Sequence, residues 1–134
     1  ARTAVVLHQP DEPAFAPSRA SVVARARPFV GLDYLWAGTS GFGLDCSGLT
    51  WLTYRAHGIR LPRDASAQAT FGRAVTRLRP GDLMFFGDPV HHVAMYAGHG
   101  RMVHAPGTGQ SVQVVPTSIP PYAQEYAGAR RVLP

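Results

Sequence analysis

Residues 45–58, DCSGLTWLTYRAHG, contain the pattern around which the rest of the chain is organised. Small and apolar side chains recur at helical spacing within residues 46–56: Leu49, Leu52, Thr53 and Ala56. Gly58 supplies a stop after the last of them. Asp45 directly precedes the pattern, and its carboxylate can accept from the first free amides of a helix. The stretch therefore predicts the main core helix, with Asp45 as its N-cap and Cys46 as its first residue.

The chain before this helix carries weaker signals. Residues 1–17 combine prolines with acidic residues and predict a linker or a remnant of a preceding module, which leaves residues 18–134 as the folded domain. Ser18 is the predicted N-cap of a short helix that Pro28 must end. Residues 29–44 alternate aromatic residues with glycines, as a shaped loop would.

The second half of the chain changes from helical to strand-like patterns. After a further short predicted helix within residues 64–71, apolar and β-branched runs are separated by Gly, Pro and Asp turns. These runs are residues 82–86, 90–97, 102–105, 112–115 and 130–133. Helices followed by strands predict an α+β domain with an antiparallel sheet. The alternation of strands and helices that a nucleotide-binding fold would need is missing.

Length and composition restrict the possible classes further. A chain of 134 residues suits one compact domain that buries roughly two-thirds of its surface. The single cysteine, Cys46, excludes an internal disulfide and a cysteine-based zinc site. No apolar run approaches the roughly 20 residues that a membrane span needs. The start at Ala1, without a secretory pattern, predicts a mature or excised domain that has lost any targeting segment.

The positive charge is partly concentrated in one stretch. The net charge is +5, all 13 basic residues are arginines, and residues 55–79 contain six of them with the single acid Asp64. Such a stretch could meet nucleic acid, an acidic membrane or an anionic cell wall, or form a solvated face without a partner. No helix-turn-helix, RNA-binding or finger signature accompanies it, so we do not expect a nucleic-acid partner.

Cys46 lies where chemistry can change the state of a thiol. The positive end of the helix dipole favours a thiolate at this position, whereas the charge of Asp45 opposes it. A protonated imidazole nearby would decide the balance in favour of the thiolate. A buried cysteine that acts only as a small hydrophobe is the alternative.

The histidines near the end of the chain depend on the register of one hairpin. Residues 90–97 and 102–105 are joined by Gly-His-Gly, read as a three-residue loop in which Gly100 takes the left-handed conformation. We expect Ala97 to pair with Arg101 at its base. A two-residue turn would shift the register by one residue and reverse the faces.

This register predicts a pair of neighbouring imidazoles. Ala94 lies opposite His104, so His92 and His104 share one face as diagonal neighbours about 7–8 Å apart at the backbone. His91 then points to the other face. A thiol at a helix start beside two imidazoles is the arrangement of a cysteine hydrolase. One imidazole takes the proton of the thiol and later gives it to the leaving amine, and the second imidazole fixes the tautomer and orientation of the first. Amides at the helix start, including that of Cys46, can receive the developing oxyanion.

Other uses of the histidines remain open at this point. Metal binding by the cluster of imidazoles is one alternative, although adjacent residues point to opposite faces and no acid lies close in the chain. Ordinary surface or core histidines are another. The residues concerned are His91, His92, His99 and His104.

Several short motifs together resemble the NlpC/P60 family of bacterial cell-wall cysteine peptidases. DCSG at residues 45–48 is followed by HVAMYAG at 92–98 and MVHA at 102–105. YLWAG at 34–38 and RPGDL at 79–83 also match the family pattern. The resemblance covers residues 18–133. Its departures are alanines at 37 and 94, where the family more often has glycine.

The resemblance implies a papain-like fold in which N-terminal helices pack on a central antiparallel sheet. Carried over by position, Cys46 is the nucleophile, His92 is the general base and acid, and His104 is the orienting third residue. The family register also selects His92 over His91 as the base. No metal and no cofactor are implied.

Three further positions match residues that line the family's substrate groove. Tyr34 corresponds to a tyrosine near the nucleophile that donates a hydrogen bond to the reacting carbonyl or to substrate, with core packing as the alternative. Asp45 is able to meet a free amino group, or else only caps the helix. Ser47 lies beside it in the same groove.

The reaction implied by the family is hydrolysis of a peptidoglycan stem-peptide amide, most often between γ-linked D-glutamate and a diamino acid. We expect a secreted or envelope protein, a monomer, with stem peptides as substrate and anionic wall polymers as further partners. A catalytically idle wall-binding module, or an amidase of the same fold, are the alternatives.

Overall fold

The computed structural model describes residues 18–31, 39–40, 43–107 and 110–133. The predicted linker, residues 1–17, lies outside the described residues. The helices are α1 Arg19–Ala26, α2 Cys46–Arg55, α3 Ala65–Gln68 and α4 Tyr122–Glu125, with a 3-10 turn at Arg27–Phe29. The strands are β1 Thr39–Ser40, β2 Gly43–Leu44, β3 Arg73–Val75, β4 Leu83–Phe86, β5 His92–Gly98, β6 Arg101–His104, β7 Gln113–Pro116 and β8 Tyr126–Arg131.

The centre of the fold is a six-stranded sheet in the order β3-β8-β4-β5-β6-β7. Every neighbouring pair in it is antiparallel. Strands β1 and β2 form a small hairpin of their own. The predicted α+β class, with N-terminal helices and a central antiparallel sheet, is therefore confirmed.

The sheet buries two separate clusters, one on each face. On one face, α1 and α2 pack against alternate residues of β5, among them Val93 and Met95, in a cluster that also contains Cys46. On the other face, Ala94 and Met102 join residues of β4 and pack against Tyr122 of α4. Successive strand residues point to opposite faces, so His92 of β5 lies on the face of the sheet opposite to the helix that carries the thiol.

The predicted helix starts agree with the observed caps. The Ser18 side chain accepts from the amide of Ser21, and α1 ends at Ala26, two residues before Pro28. The carboxylate of Asp45 caps α2. Gly58, with φ +80°, ends the turn after α2, in a left-handed conformation that glycine adopts at little cost.

Helices α1 and α2 are joined by a buried histidine. The Nδ1 of His57 lies 2.8 Å from the carbonyl oxygen of Thr53, so this nitrogen donates. Its Nε2 lies 2.8 Å from the Oγ of Ser21 and accepts from that hydroxyl. The imidazole therefore fixes the position of α1 on the helix that begins with Cys46.

The hairpin between β5 and β6 has a different loop from the predicted one. The predicted closing pair of Ala97 and Arg101 is wrong, because Gly98 pairs with Arg101 across a two-residue turn. Both turn residues, His99 at φ +55° and Gly100 at φ +71°, are left-handed, as the tight hairpin turn requires.

A β-bulge restores the predicted register one step further along the strands. Between Tyr96 and Gly98 the register shifts, which offsets the shorter turn by one residue. Beyond the bulge, Met95 pairs with Val103 and Tyr96 with Met102, as predicted. The alternation that places two histidines on one face is therefore retained.

Strand β3 and helix α4 had no clear sequence signal, and strand β8 has different bounds from the predicted ones. Strand β3 is a three-residue edge strand and is largely exposed, and α4 is only four residues long and follows two prolines. Strand β8 spans Tyr126–Arg131 rather than residues 130–133, because residues 127–129 are alanine and glycine, which have low strand propensity and gave no signal. In β8, pairing with β3 and β4 overrides that propensity.

A buried ion pair holds β8 to the turn before β4. Arg131 donates to both carboxylate oxygens of Asp82, from Nε at 2.9 Å and from a terminal nitrogen at 2.7 Å. The carboxylate also accepts from the amide of Arg79 at 2.8 Å. Asp82 is 1% exposed and Arg131 is 7% exposed, so removing the carboxylate would leave the guanidinium of Arg131 buried without its counter-charge.

We expect Asp82→Asn to lower the free energy of unfolding by about 3 kcal/mol, because the guanidinium of Arg131 would remain buried and uncompensated. Urea unfolding followed by circular dichroism measures this loss. Arg101→Gln, at an exposed position of β6, is the matched control and should change stability by less than about 0.5 kcal/mol. Equal losses in the two variants would contradict the importance of this pair.

Candidate active site

The first turn of α2 places the thiol at the positive end of a helix. Asp45 has extended backbone (φ −88°, ψ 179°), and its Oδ1 accepts from the Gly48 amide at 2.6 Å. This cap occupies the Gly48 amide and leaves the amides of Cys46 and Ser47 directed at the Cys46 sulfur. The predicted cap is confirmed, and Cys46 is the first residue of the helix, as predicted.

Arg63 holds both neighbours of the thiol in place. Its guanidinium donates to the two oxygens of Asp45 at 2.9 and 3.0 Å, and its other terminal nitrogen donates to the Oγ of Ser47 at 2.7 Å. The sequence analysis did not single out this residue. Arg63 lies 16 and 18 positions from its partners, in a stretch where six arginines looked alike, so spacing gave no signal.

Two imidazoles meet on the sheet face opposite the long helix. The Nε2 of His92 and the Nδ1 of His104 are 2.8 Å apart, and the rings are nearly perpendicular at 77°. His92 is 5% exposed and His104 is 1% exposed. The predicted neighbouring pair on one face is therefore confirmed.

His91 has a different environment from the one predicted. It precedes the first residue of β5, its side chain is 60% exposed, and its Nε2 lies 3.6 Å from a carboxylate oxygen of Glu125. The prediction that it points to the opposite sheet face is corrected, because its side chain lines the rim of the cavity that holds His92.

Tyr122 packs on both imidazoles. Its ring centroid lies 5.1 Å from that of His92 and 5.0 Å from that of His104, with the second contact edge-on. Burial raises the pKa of Tyr122, and the neighbouring Glu125 and Cys46 add to the shift. The hydroxyl therefore stays protonated and can donate a hydrogen bond. Sequence analysis missed this residue because α4 had no recognisable pattern.

The thiol of Cys46 and the imidazole of His92 open into one cavity of about 250 Å³. Cys46 lines it from α2, His92 from β5 and Tyr122 from α4, and Pro106, Pro121, His91 and Glu125 complete the wall. A backbone hydrogen bond from Val93, the residue after His92, reaches the Cys46 sulfur. The start of α2 therefore contacts the first residues of β5, at the end of the strand where His92 lies.

Both imidazoles are neutral near physiological pH. Burial lowers the pKa of His92 to about 3, and the charges that His104 and His91 would carry add to this effect. Burial alone lowers the pKa of His104 to about 4. The geometry agrees with neutrality, because a 2.8 Å contact between two ring nitrogens needs one donor and one acceptor.

The thiol of Cys46 is also neutral in the resting site. Burial raises the pKa of Cys46, and the charge of Asp45 raises it further, whereas hydrogen bonds from the amides of Val93, Ser47 and Cys46 itself partly offset the shift. The condition set out above for a thiolate, a protonated imidazole, is not met by the neutral His92. The site therefore holds a thiol beside a neutral base.

The remaining predictions concern Tyr34, metal binding and membrane-spanning segments. Tyr34 lies outside the described residues, so its role stays a prediction. Among the described ranges, no group of three or more candidate ligand side chains could hold a metal ion. Within the same ranges no helix has the length and apolarity needed to cross a bilayer.

A single thiol at a helix start that shares a cavity with an imidazole, itself hydrogen-bonded to a second imidazole, is the arrangement of cysteine hydrolases. The chain belongs to the NlpC/P60 family, whose sequence model matches residues 31–131. This membership confirms the resemblance found in the sequence.

The relatives agree with this assignment. The chain is 49% identical over 125 residues to a gamma-D-glutamyl-L-lysine dipeptidyl-peptidase of Bacillus cereus, a match that covers 88% of this chain and 38% of the relative. It therefore spans less than half of that protein's length. A second such dipeptidyl-peptidase, of Bacillus subtilis, is 42% identical over 110 residues, covering 77% of this chain and 37% of its own length.

Solved structures show the same fold. An NlpC/P60 family protein from Bacillus cereus superposes with a TM-score of 0.89 at 46% identity, covering 95% of this chain and 44% of that chain. The NlpC/P60 domain of the peptidoglycan hydrolase SagA superposes with a TM-score of 0.76 at 32% identity, covering 86% of this chain and 99% of that chain. The architecture described above is thus that of an NlpC/P60 domain.

The neutral burial of the imidazole pair makes stability depend on pH. Below about pH 6.5 the unfolded chain binds protons that the folded chain excludes, so the free energy of unfolding falls as the pH is lowered toward the folded-state pKa values. We expect a loss of about 1–2 kcal/mol for each imidazole between pH 7 and pH 5, measured by urea unfolding. His104→Gln should show a smaller loss over the same interval. An identical pH dependence in this variant would show that His104 is not buried in its neutral form.

Proposed function

We propose that this domain is a cysteine peptidase that hydrolyses peptidoglycan stem peptides at the amide between γ-linked D-glutamate and a diamino acid. The observation that carries the proposal is that Cys46 and His92 line the same cavity and that His104 is hydrogen-bonded to His92. Two relatives at 49% and 42% identity are named gamma-D-glutamyl-L-lysine dipeptidyl-peptidases, which supports the choice of bond.

The hydrogen bond between the histidines decides which nitrogen acts. Because Nε2 of His92 is occupied by His104, only Nδ1 of His92 is free for the thiol. A base at Nδ1 requires its single proton on Nε2, which therefore donates to Nδ1 of His104. His104 then carries its own proton on Nε2. In this role His104 is a positioning residue, which fixes the tautomer and the orientation of the His92 ring.

The nucleophile forms during attack rather than before it. Since thiol and imidazole are both neutral at rest, the sulfur proton passes to Nδ1 of His92 as the sulfur bonds to the substrate carbonyl carbon. Negative charge develops on the carbonyl oxygen at the same time. The amides of Cys46 and Ser47 at the positive end of α2 are the donors for this oxyanion.

The tetrahedral intermediate collapses by releasing the amine. The imidazolium of His92 gives its proton to the departing nitrogen, the carbon–nitrogen bond breaks, and a thioester on Cys46 remains. A water molecule then gives a proton to His92 and attacks the thioester. The carbon–sulfur bond of the thioester then breaks, His92 returns the proton to the sulfur, and the free carboxylic acid is released.

The surroundings of the helix start suit the acyl half of this substrate. When the γ-carbonyl of D-glutamate lies at Cys46, its free α-carboxylate lies a few bonds away and is complementary to the guanidinium of Arg63. We also assign Tyr34, Asp45 and Ser47 to this half of the groove. Because Arg63 binds both Asp45 and Ser47, these two residues are pre-positioned before substrate arrives.

The substrate also indicates where the protein works. Peptidoglycan lies outside the cytoplasmic membrane, so we propose a secreted or envelope location. The net charge of +5 adds attraction to anionic wall polymers, which weakens as salt concentration rises.

Cys46→Ala should abolish cleavage of a purified L-Ala-γ-D-Glu-L-Lys peptide, because no other cysteine can form the thioester. Mass spectrometry of the products measures cleavage and identifies the bond. The variant should keep the circular dichroism spectrum of the parent protein. An unchanged rate in the variant would remove the nucleophile assignment, and a different cleaved bond would remove the substrate assignment.

His92→Ala should reduce kcat/KM by at least about 1,000-fold, since both proton transfers pass through this ring. His91→Ala changes the neighbouring imidazole and is the matched control, with an expected effect below about tenfold. Steady-state kinetics on the same peptide gives both values. The reverse ranking would show that His91 is the base.

A further inference from the structure

A second cavity adjoins the one that contains the thiol. It has a volume of about 850 Å³ and lies between the turn after β4, residues 87–91, and residues 124–127 at the junction of α4 and β8. His91 and Glu125 line both cavities, and their side chains lie 3.6 Å apart, so together they form the boundary between the two. The mechanism proposed above uses neither residue.

The walls of this second cavity are fixed by backbone contacts. The amide of Gly87 donates to the carbonyl oxygen of Glu125 at 2.8 Å, and the amide of His91 donates to that of Phe86 at 3.0 Å. Gly87 has φ +98°, and any side chain there would collide with the imidazole of His91. The turn therefore holds His91 against the end of α4 and fixes the backbone of Glu125 at the boundary between the two cavities.

The charge of this cavity is opposite to that of the protein. The chain has a net charge of +5, yet the described residues that line the cavity include two carboxylates, Asp88 and Glu125, and no arginine. The side chain of Glu125 is 38% exposed, and its Oε1 lies 3.6 Å from Nε2 of His91. A carboxylate at this depth is accessible to a ligand and only partly screened by water.

The proposed chemistry determines which half of the substrate reaches this cavity. His92 must protonate the departing amine, so the leaving residue lies on the His92 side of the thiol. The acyl half lies on the side of Arg63. Glu125 lines the cavity that holds His92 and also the second cavity next to it. The side chain of the leaving diamino acid therefore extends toward Glu125.

We infer that the second cavity is the subsite for the side chain of the leaving residue, and that the Glu125 carboxylate binds its terminal ammonium group. This inference rests on the proposed function and adds to it the residue that binds the side-chain amine, with a preference for lysine over a diamino acid whose side chain also carries a carboxylate. A lysine, which ends in one positive charge, fits such a site. A side chain that ends in both an ammonium and a carboxylate fits less well, because Asp88 and Glu125 repel the carboxylate.

The test compares two peptides that differ only in the charge of the leaving side chain. These are L-Ala-γ-D-Glu-L-Lys and its norleucine analogue, which keeps the shape but lacks the amine. We expect the parent protein to cleave the lysine peptide with a kcat/KM about fivefold higher, mainly through KM, because the contact lies away from the reacting atoms. Glu125→Gln should remove this preference, and Glu125→Asp should retain part of it.

The norleucine peptide is the internal control for a structural effect. If Glu125→Gln lowers the rates for both peptides equally, Glu125 acts on the fold or on His91, and the subsite is overturned. If the parent protein does not distinguish the two peptides, the inference is overturned as well. Raising the salt concentration should reduce the preference for lysine and leave the norleucine rate nearly unchanged.

A binding measurement separates this inference from the proposed reaction. Isothermal titration calorimetry with the Cys46→Ala variant needs no turnover, and it should show tighter binding of the lysine peptide by about fivefold. Adding Glu125→Gln to that variant should equalise the two affinities. A parent protein that cleaves neither peptide, with the difference in affinity intact, would overturn the proposed function alone. Equal affinities in the Cys46→Ala variant would overturn the subsite alone.

Discussion

The hydrogen bond between His92 and His104 is the constraint on which the site depends. Two imidazoles at 2.8 Å in a dry environment cannot both be charged, and burial lowers the pKa of each well below its ordinary value. The contact therefore excludes a doubly charged pair and fixes the orientation of the two rings, while burial keeps both rings neutral. A base that keeps its lone pair free is what a neutral thiol beside it requires.

That hydrogen bond depends in turn on the register of one hairpin. Met95 pairs with Val103 only because the bulge before Gly98 offsets a two-residue turn. Without the offset, the register would shift by one residue, and each side chain of one strand would face the opposite side of the sheet relative to its neighbour. His92 and His104 would then lie on different faces. A local irregularity of the backbone thus serves a long-range purpose.

Much of this arrangement could be predicted from the sequence, because it is encoded locally. The Asp45 cap, the position of Cys46 and the shared face of His92 and His104 follow from helical spacing and strand alternation. The turn type was wrong, since Gly-His-Gly allows either a three-residue loop or a two-residue turn with a bulge. Arg63 and Tyr122 were missed because their importance comes from tertiary contacts, with partners 16 and 18 residues away for the first and 18 and 30 residues away for the second.

Burial of the sulfur at the start of α2 has a consequence for the lifetime of the protein. A thiolate attacks peroxides and disulfides far faster than a thiol does, and burial raises the pKa of Cys46. The resting protein therefore exposes little of the oxidisable form. With no second cysteine in the chain to resolve a sulfenic acid, slow oxidation at this atom preserves the only nucleophile until a peptide enters.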